Sequence, residues 1–335
     1  MPQETNMSIL VIGSTGKIGR RLIPRLLSSP STPTLVLPTT KEPSTLLSTV
    51  SSLPGYDESR VHVPQGSISD PPFLDALLQK HSVTSVFMAM TGPDELFTTS
   101  LVLSALQRSA TVKHVVYISA AGDYSVDAIK AGGMQGSDAA NVLVKFLVEA
   151  KLKYGIAARD DGESADKGKK KTGFSWTVLG PTLFTDNDAM GKQWLMERGV
   201  YFQALGGGAG ISFVDVEDIA LAGVIALEDD GRKWGGKKII IGGKKAYTGD
   251  EVAKLWSDAL RKELRLAERD EVEADLAGVI GPGHARMLAD MFQEFGERGF
   301  AMSEEQYREQ VAFLGKEPEE YEQFVQSTAQ AWKAE

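Results

Sequence analysis

The sequence predicts an α/β fold: a doubly wound parallel sheet with helices on both faces, followed by a smaller, mostly helical carboxyl-terminal domain. Three observations predict it. From residue 8 to about residue 179, short β-type runs alternate with helical patterns, as crossover units on a parallel sheet require. Most of those runs are apolar throughout, which leaves no face for water and demands helices above and below. After Pro181 helical periodicity dominates.

The strand candidates are residues 9–12, 35–37, 61–63, 86–88, 115–118 and 176–179. Between them, Asp70 followed by Pro71 marks a helix start, and Phe73, Leu74, Leu77 and Leu78 recur at helical spacing. Further on, a strand is expected at 239–241. Thr248 with Glu251 three residues later forms a capping box, opening a helix whose apolar face is Val252, Leu255, Trp256, Ala259 and Leu260. The tail from Ser303 is acidic and helical. The expected domains are 7–180, carrying the sheet, and 181–335, a cap closing over the sheet's carboxyl edge, with segments near 211–241 returning to the sheet. A charge-dense stretch at about 157–173, running from Arg159 to Lys171, cannot bury itself and reads as a surface insertion. Its acids and lack of aromatics favour a solvated loop over a nucleic-acid patch. No internal repeat is found.

Composition narrows the function classes. The 335 residues are 42% hydrophobic and 24% charged, which argues against disorder and low-complexity scaffolds. Zero cysteines exclude disulfides, thiolate zinc sites and cysteine nucleophiles, and suit a reducing compartment. A net charge of -9 gives no field to gather polyanions, so nucleic acid is not the expected partner. The start lacks a basic and apolar export signal, and no run approaches the roughly 18 apolar residues of a spanning helix. A soluble, cytoplasmic protein acting on a small molecule is expected, with no membrane partner.

The most informative stretch is an apolar run, residues 8–12, entering Gly13-Ser14-Thr15-Gly16-Lys17-Ile18-Gly19. In this G-x-x-G-x-x-G spacing Gly13 permits a tight turn, Gly16 lets backbone amides approach a pyrophosphate, and Gly19 lets the helix lie close on the strand. The helix amino end supplies unpaired N–H groups and partial positive charge, which hold an anion without a basic surface. The alternative is a structural turn with no ligand, but the strand before and helical Ile18, Leu22 and Leu26 after supply the context of a dinucleotide site. At the end of the second strand, where an acid would bond the ribose of NAD, the chain reads Leu-Pro-Thr39-Thr40-Lys41. Two hydroxyls and an ammonium favour the 2′-phosphate of NADP(H), although Lys41 also reads as an exposed loop lysine.

These residues, with His114-Val-Val-Tyr-Ile-Ser119, the run from Ser175 through Pro181-Thr-Leu-Phe184 to Asn187, Ile211-Ser-Phe-Val-Asp215-Val-Glu-Asp218, Tyr247-Thr-Gly-Asp-Glu-Val-Ala and the run from Met291 to Phe300, resemble the NmrA-like group of atypical short-chain dehydrogenases/reductases over most of the chain. The resemblance implies a Rossmann domain with a small carboxyl-terminal substrate-side domain, NADP(H) binding, and either reductase activity or a redox-sensing regulatory role.

Short-chain reductases place a serine, a tyrosine and a lysine four residues after it around the nicotinamide, the tyrosine giving the proton. Ser119 fits the serine position. The later pair reads Asn141-Val-Leu-Val-Lys145, with asparagine where tyrosine is expected. An amide can hydrogen-bond a carbonyl but cannot deliver a proton at neutral pH. Lys145, alone in an apolar helical run, either reaches the nicotinamide ribose or substrate oxygen, or snorkels to solvent or pairs with Glu149. Tyr124 is a candidate substitute proton donor; the alternative is a loop tyrosine in water. Thr91-Gly92-Pro93 after the fourth strand and Pro181, Thr182 and Phe184 after the sixth would line the cofactor crevice, or else serve as turn and core.

Other signals read as structural. Gly206–Gly210 precedes a β-type run and is expected to be a flexible turn beside the pocket. Asp215 and Asp218 suit a helix start better than acid–base chemistry. His62, His81, His114 and His284 are scattered, so no metal is expected, and no serine-hydrolase elbow is present. Three functions fit: an NADPH-dependent reductase of a small, largely apolar carbonyl, enone, imine or quinone-type acceptor; a non-catalytic NADP(H) sensor acting on a protein partner; or an isomerase or cyclase on the same fold.

Overall fold

Continuously apolar runs occupy the central layer of the computed structural model, which describes residues 7–133, 139–156 and 173–335. The expected charged insertion lies outside the described residues up to position 172. In chain order the first elements are β1 (Ser8–Ile12), α1 (Lys17–Leu27), β2 (Thr34–Val36), α2 (Pro43–Ser51), β3 (Val61–His62), α3 (Pro71–Lys80), β4 (Ser85–Met88), α4 (Glu95–Arg108) and β5 (His114–Ile118). Next come α5 (Val126–Ala128), α6 (Ala140–Gly155), β6 (Ser175–Pro181), β7 (Leu183–Phe184), α7 (Asp186–Met190), β8 (Val200–Tyr201), β9 (Ile211–Val214), α8 (Val216–Asp229) and β10 (Lys237–Ile241). The last are β11 (Ala246–Tyr247), α9 (Gly249–Leu260), β12 (Arg265–Leu266), α10 (Arg269–Ile280), α11 (Pro282–Arg298), α12 (Glu304–Leu314) and α13 (Tyr321–Ala334).

Seven strands form one sheet in the order β10-β6-β5-β4-β1-β2-β3, and the neighbours from β3 to β6 pair in parallel. Every residue of β1, β4 and β5 is buried, as their unbroken apolar character requires. The chain starts mid-sheet, runs outward through β2 and β3, then returns to place β4 on the other side of β1. That reversal is the switch point at which open α/β sheets bind ligands, and the turn after β1 opens there.

The described residues form two compact units, the first within Met1–Ser119, Leu147–Leu179 and Ile219–Ile239, the second within Ala120–Phe146, Gly180–Asp218 and Ile240–Glu335. The segment near 211–241 divides. β10 joins the large sheet, whereas β9 pairs with β7 and β11 in a separate three-stranded sheet. The Phe213 side chain explains this, because its ring stacks on Tyr321 at 4.0 Å and meets Tyr247 edge-on, burying β9 in the second unit's own core. The capping box of Thr248 and Glu251 is present at the start of α9, and Ser303 with Gln306 forms another at α12.

The glycine run at 206–210 is not a loose turn. Ala209 N–H donates to the Gly296 carbonyl and Phe300 N–H to that of Gly210, so the backbone is tied to the end of α11. Asp218 does more than begin α8. It is 1% exposed, pairs with Lys316 and accepts the Glu319 N–H at 2.8 Å, pinning the link between α12 and α13.

A buried carboxylate organises the second unit. Asp188 accepts hydrogen bonds from the hydroxyls of Tyr201 at 2.6 Å and Tyr321 at 2.5 Å, from Gln203 Nε2 at 2.5 Å and from Trp256 Nε1 at 3.2 Å. Burial still pushes its carboxyl up to about 6, against the downward pull of those donors.

In the first unit, His114 is fully buried on β5. Thr177 gives its hydroxyl proton to the Trp234 carbonyl, so the His114 Nε2–H donates to Thr177 Oγ1 and leaves Nδ1 without a partner. Burial pushes the imidazole down to about 4, only partly opposed by Asp229. The folded state therefore resists a proton that the unfolded chain accepts near pH 6.5. His114 stabilises fully above that pH, and its contribution falls as pH drops toward 4. We expect the unfolding free-energy difference between wild type and His114→Asn to shrink by about 1.4 kcal/mol from pH 7.5 to 5.5, measured by urea titration, since Asp188 acts equally in both and cancels. A difference independent of pH would contradict this.

Candidate functional site

The turn after β1 separates glycines the chain itself requires from one it does not. Gly13 has φ +89°, and a Cβ there would stand 2.4 Å from the Ala89 carbonyl oxygen. A Cβ on Gly19 would stand 2.2 Å from the Gly13 oxygen and 2.7 Å from that of Ser14, so close packing of α1 on the turn forbids a side chain. Gly16 is different. Its backbone, φ −75° and ψ 174°, suits any residue, and a Cβ would meet only the Gly13 oxygen at 3.3 Å. Beyond that one close approach no other atom lies within 4 Å of the Cβ position, and Gly16 is exposed, so the protein leaves room on its outer side.

Gly16 is also the N-cap of α1, and no side chain caps the N–H groups that follow. The first turn holds no acid, while Lys17, Arg20 and Arg21 crowd it with cations, the reverse of what a helix macrodipole favours. An uncapped, cation-flanked helix amino end has the dipole and charge to attract an anion. Ser14 is buried, Thr15 and Gly16 are exposed, and Lys17 is half-buried, whereas Ile18 packs into the core and offers only its backbone.

A cavity of about 610 Å³ in the first unit brings Gly13, Ser14 and Thr15 together with Thr39, Thr40 and Lys41. Thr39 is fixed by a bridge to Gln65, and its Oγ1 accepts the Lys41 N–H at 3.1 Å. Among the further residues lining this cavity, two are charged and were passed over by sequence reading: Arg20 and Glu42. Arg20 was visible as the basic residue one turn into α1. Glu42 directly follows the three residues read as free of acid. Two cations thus face one carboxylate.

Ser119 follows β5 and is 5% exposed; its hydroxyl donates to Glu149 Oε1 on α6. Lys238 on β10 donates to the same oxygen at 2.8 Å. Lys145 lies one turn before Glu149 and is buried, 8% exposed. Leu147 and Tyr154 of α6 are exposed beside Lys151 and Lys153, which leaves this helix less enclosed than its apolar sequence implies.

In the second unit, Asn141 directs Nδ2 at the Met291 sulfur, 2.8 Å away, and its buried Oδ1 has no partner. Tyr124 is buried rather than in water: its hydroxyl donates to the Ala121 carbonyl at 2.9 Å and its ring lies 4.0 Å from that of Phe146. Pro181 ends β6 and is buried, Thr182 is buried with Oγ1 unpartnered, and Phe184 is half-buried in β7. In the first unit, Thr91, Gly92 and Pro93 stand outside the 610 Å³ cavity, in the turn between β4 and α4. Among the described residues no three His, Asp or Glu side chains gather as metal ligands would, and no helix is long and apolar enough to cross a membrane.

Comparison with known proteins gives the family and the fold. A family model described as NAD(P)H-binding matches residues 13–226, well over half the chain. An NAD(P)H azoreductase of Xenophilus azovorans is 25% identical over 287 residues, 85% of this chain and 85% of that protein. An NADPH-dependent quinone oxidoreductase of Escherichia coli, solved in complex with NADPH, superposes with a TM-score of 0.72 at 18% identity, covering 97% of this chain and 99% of the other. NmrA, a negative transcriptional regulator solved in complex with NAD, superposes with a TM-score of 0.66 at 16% identity, covering 98% and 97%. The two structures share the fold.

The contrast between the glycines is testable by stability alone. Gly19→Ala should cost about 3 kcal/mol in denaturant unfolding, because backbone must move, whereas Gly16→Ala should cost under about 1 kcal/mol. Equal losses would mean that Gly16, too, is a packing requirement.

Proposed function

This chain belongs to the NAD(P)H-binding family, and on that premise we propose that it is an NADPH-dependent reductase of a small, largely apolar carbonyl, enone, imine or quinone-type acceptor. The observation that carries the reading is the open space over Gly16 at the uncapped end of α1. The Lys17, Ile18 and Gly19 amides hold the diphosphate there. Arg20 and Lys41, with the Thr39 and Thr40 hydroxyls, hold the 2′-phosphate, and their charge outweighs that of Glu42. Bound NADPH supplies the hydride.

In this reading Lys145 orients the nicotinamide ribose and Asn141 the acceptor, with Thr91, Gly92, Pro93, Pro181 and Phe184 as lining. The named activities of the azoreductase and the quinone oxidoreductase support acceptors of conjugated, electron-poor character. Asn141 supports a second reading, a nucleotide-sensing regulator with a protein partner, because it removes the usual proton donor and because NmrA is a transcriptional regulator on the same fold.

Two measurements decide between them. Calorimetry should show NADPH bound more tightly than NADH. Arg20→Ala and Lys41→Ala should each weaken NADPH roughly 10-fold or more, with NADH little changed, as loss of a charge-assisted hydrogen bond predicts. Equal effects on both dinucleotides would take these residues off the 2′-phosphate. A panel of enones, quinones, imines and azo compounds should include one that oxidises NADPH, and Lys145→Ala should slow that turnover roughly 100-fold. Normal turnover in the variant removes Lys145 from the mechanism. Binding without reduction of any acceptor favours the regulator.

A further inference from the structure

Ser119, Glu149 and Lys238 meet beside the carboxyl end of β5, one from each of three separate segments of the first unit. One Glu149 oxygen accepts both from the Ser119 hydroxyl and from the Lys238 ammonium, the latter at 2.8 Å. The Glu149 side chain is 12% exposed and that of Lys238 19%, so each charge has the other as its counter-ion. Glu149 is therefore a carboxylate, and a carboxylate only accepts.

That fixes the polarity of Ser119. A serine hydroxyl has one proton and two lone pairs, and when it rotates freely it donates or accepts as its neighbour requires. Here the one proton is committed to Glu149. Any other neighbour meets a lone pair, and donation to an anion makes the hydroxyl oxygen a stronger acceptor.

The cluster stands on the edge where the turn after β1 opens. Ile12, Met88 and Tyr117 lie in register across β1, β4 and β5. Ser119 therefore leaves the sheet two strands from the Gly13 turn, about 10 Å away at ~4.8 Å per strand, on the same carboxyl edge.

A bare carbonyl oxygen brought to Ser119 sets lone pairs against lone pairs, whereas an N–H or O–H finds its partner. We propose that Glu149, held by Lys238, makes Ser119 a hydrogen-bond acceptor only, so that the substrate is a conjugated compound carrying an N–H or O–H donor beside its reducible carbonyl or C=N bond. This rests on the reductase reading and narrows its substrate class. Ser119 touches the substrate; Glu149 and Lys238 are positioning residues that act through it.

Two compounds that differ by one N–H test the assignment: the 2-methylamino and 2-dimethylamino derivatives of 1,4-naphthoquinone. Dividing each kcat/KM by the rate of the same compound with 1-benzyl-1,4-dihydronicotinamide in buffer removes intrinsic reactivity. The corrected ratio should favour the methylamino compound roughly 30-fold, as exchange of a hydrogen bond for two opposed acceptors predicts. Calorimetry on protein loaded with NADP+, where no hydride can move, should show the same preference in Kd. Ser119→Ala, which leaves the Glu149–Lys238 pair in place, should bring both ratios to within about threefold of unity. Glu149→Leu frees the serine proton and should erase the preference through a gain on the dimethylamino compound. Glu149→Gln should retain it, because Lys238 holds the amide oxygen where it still accepts from Ser119. A wild-type ratio near unity, or one that Ser119→Ala leaves unchanged, overturns the assignment and leaves the reductase standing. A wild type that binds NADPH but reduces no compound overturns the reductase reading and this one with it.

Discussion

The amino end of α1 carries N–H groups that no side chain caps, three basic side chains within five residues and no acid in its first turn. Isolated, that is an unfavourable arrangement: the positive end of a helix dipole with more positive charge added. It is stable to leave uncapped only if water or an anion meets those groups. The open space above Gly16 lets an anion as bulky as a diphosphate do so, in a protein whose net charge of -9 would otherwise repel it. In the proposed reading local dipoles decide binding, and net charge does not.

The sheet exists to aim that helix. Burying every residue of β1 fixes where the strand ends, and the close contacts of Gly13 and Gly19 fix how α1 leaves it. The reversal of strand order beside β1 puts β4 and β5 along the same edge, so the Ser119 cluster shares it. The second unit is organised differently, around the buried Asp188 and its four donors, which bind together segments from residue 188 to residue 321.

Much of this was legible in the sequence because it depends on local pattern. The parallel strands declared themselves by unbroken apolar runs, and the capping box at Thr248 by spacing. The six residues gathered in the 610 Å³ cavity came from the glycine spacing and the end of the second strand. What escaped was long-range. Asp188 sits in an Asp-Asn-Asp run that looks like surface, and its donors lie 13 to 133 residues away. Glu149 and Lys238 are 89 residues apart, and nothing local marks them as partners. The register that puts Phe213 on Tyr321, and so keeps β9 out of the main sheet, is likewise a product of packing.

Backbone amides report the central interaction directly. In nitrogen-15 spectra recorded during an NADPH titration, the amides of Lys17, Ile18 and Gly19 should move downfield together as their protons find phosphate oxygens, saturating with the binding isotherm. Resonances of these three amides that stay fixed while NADPH binds would place the diphosphate elsewhere and contradict the account.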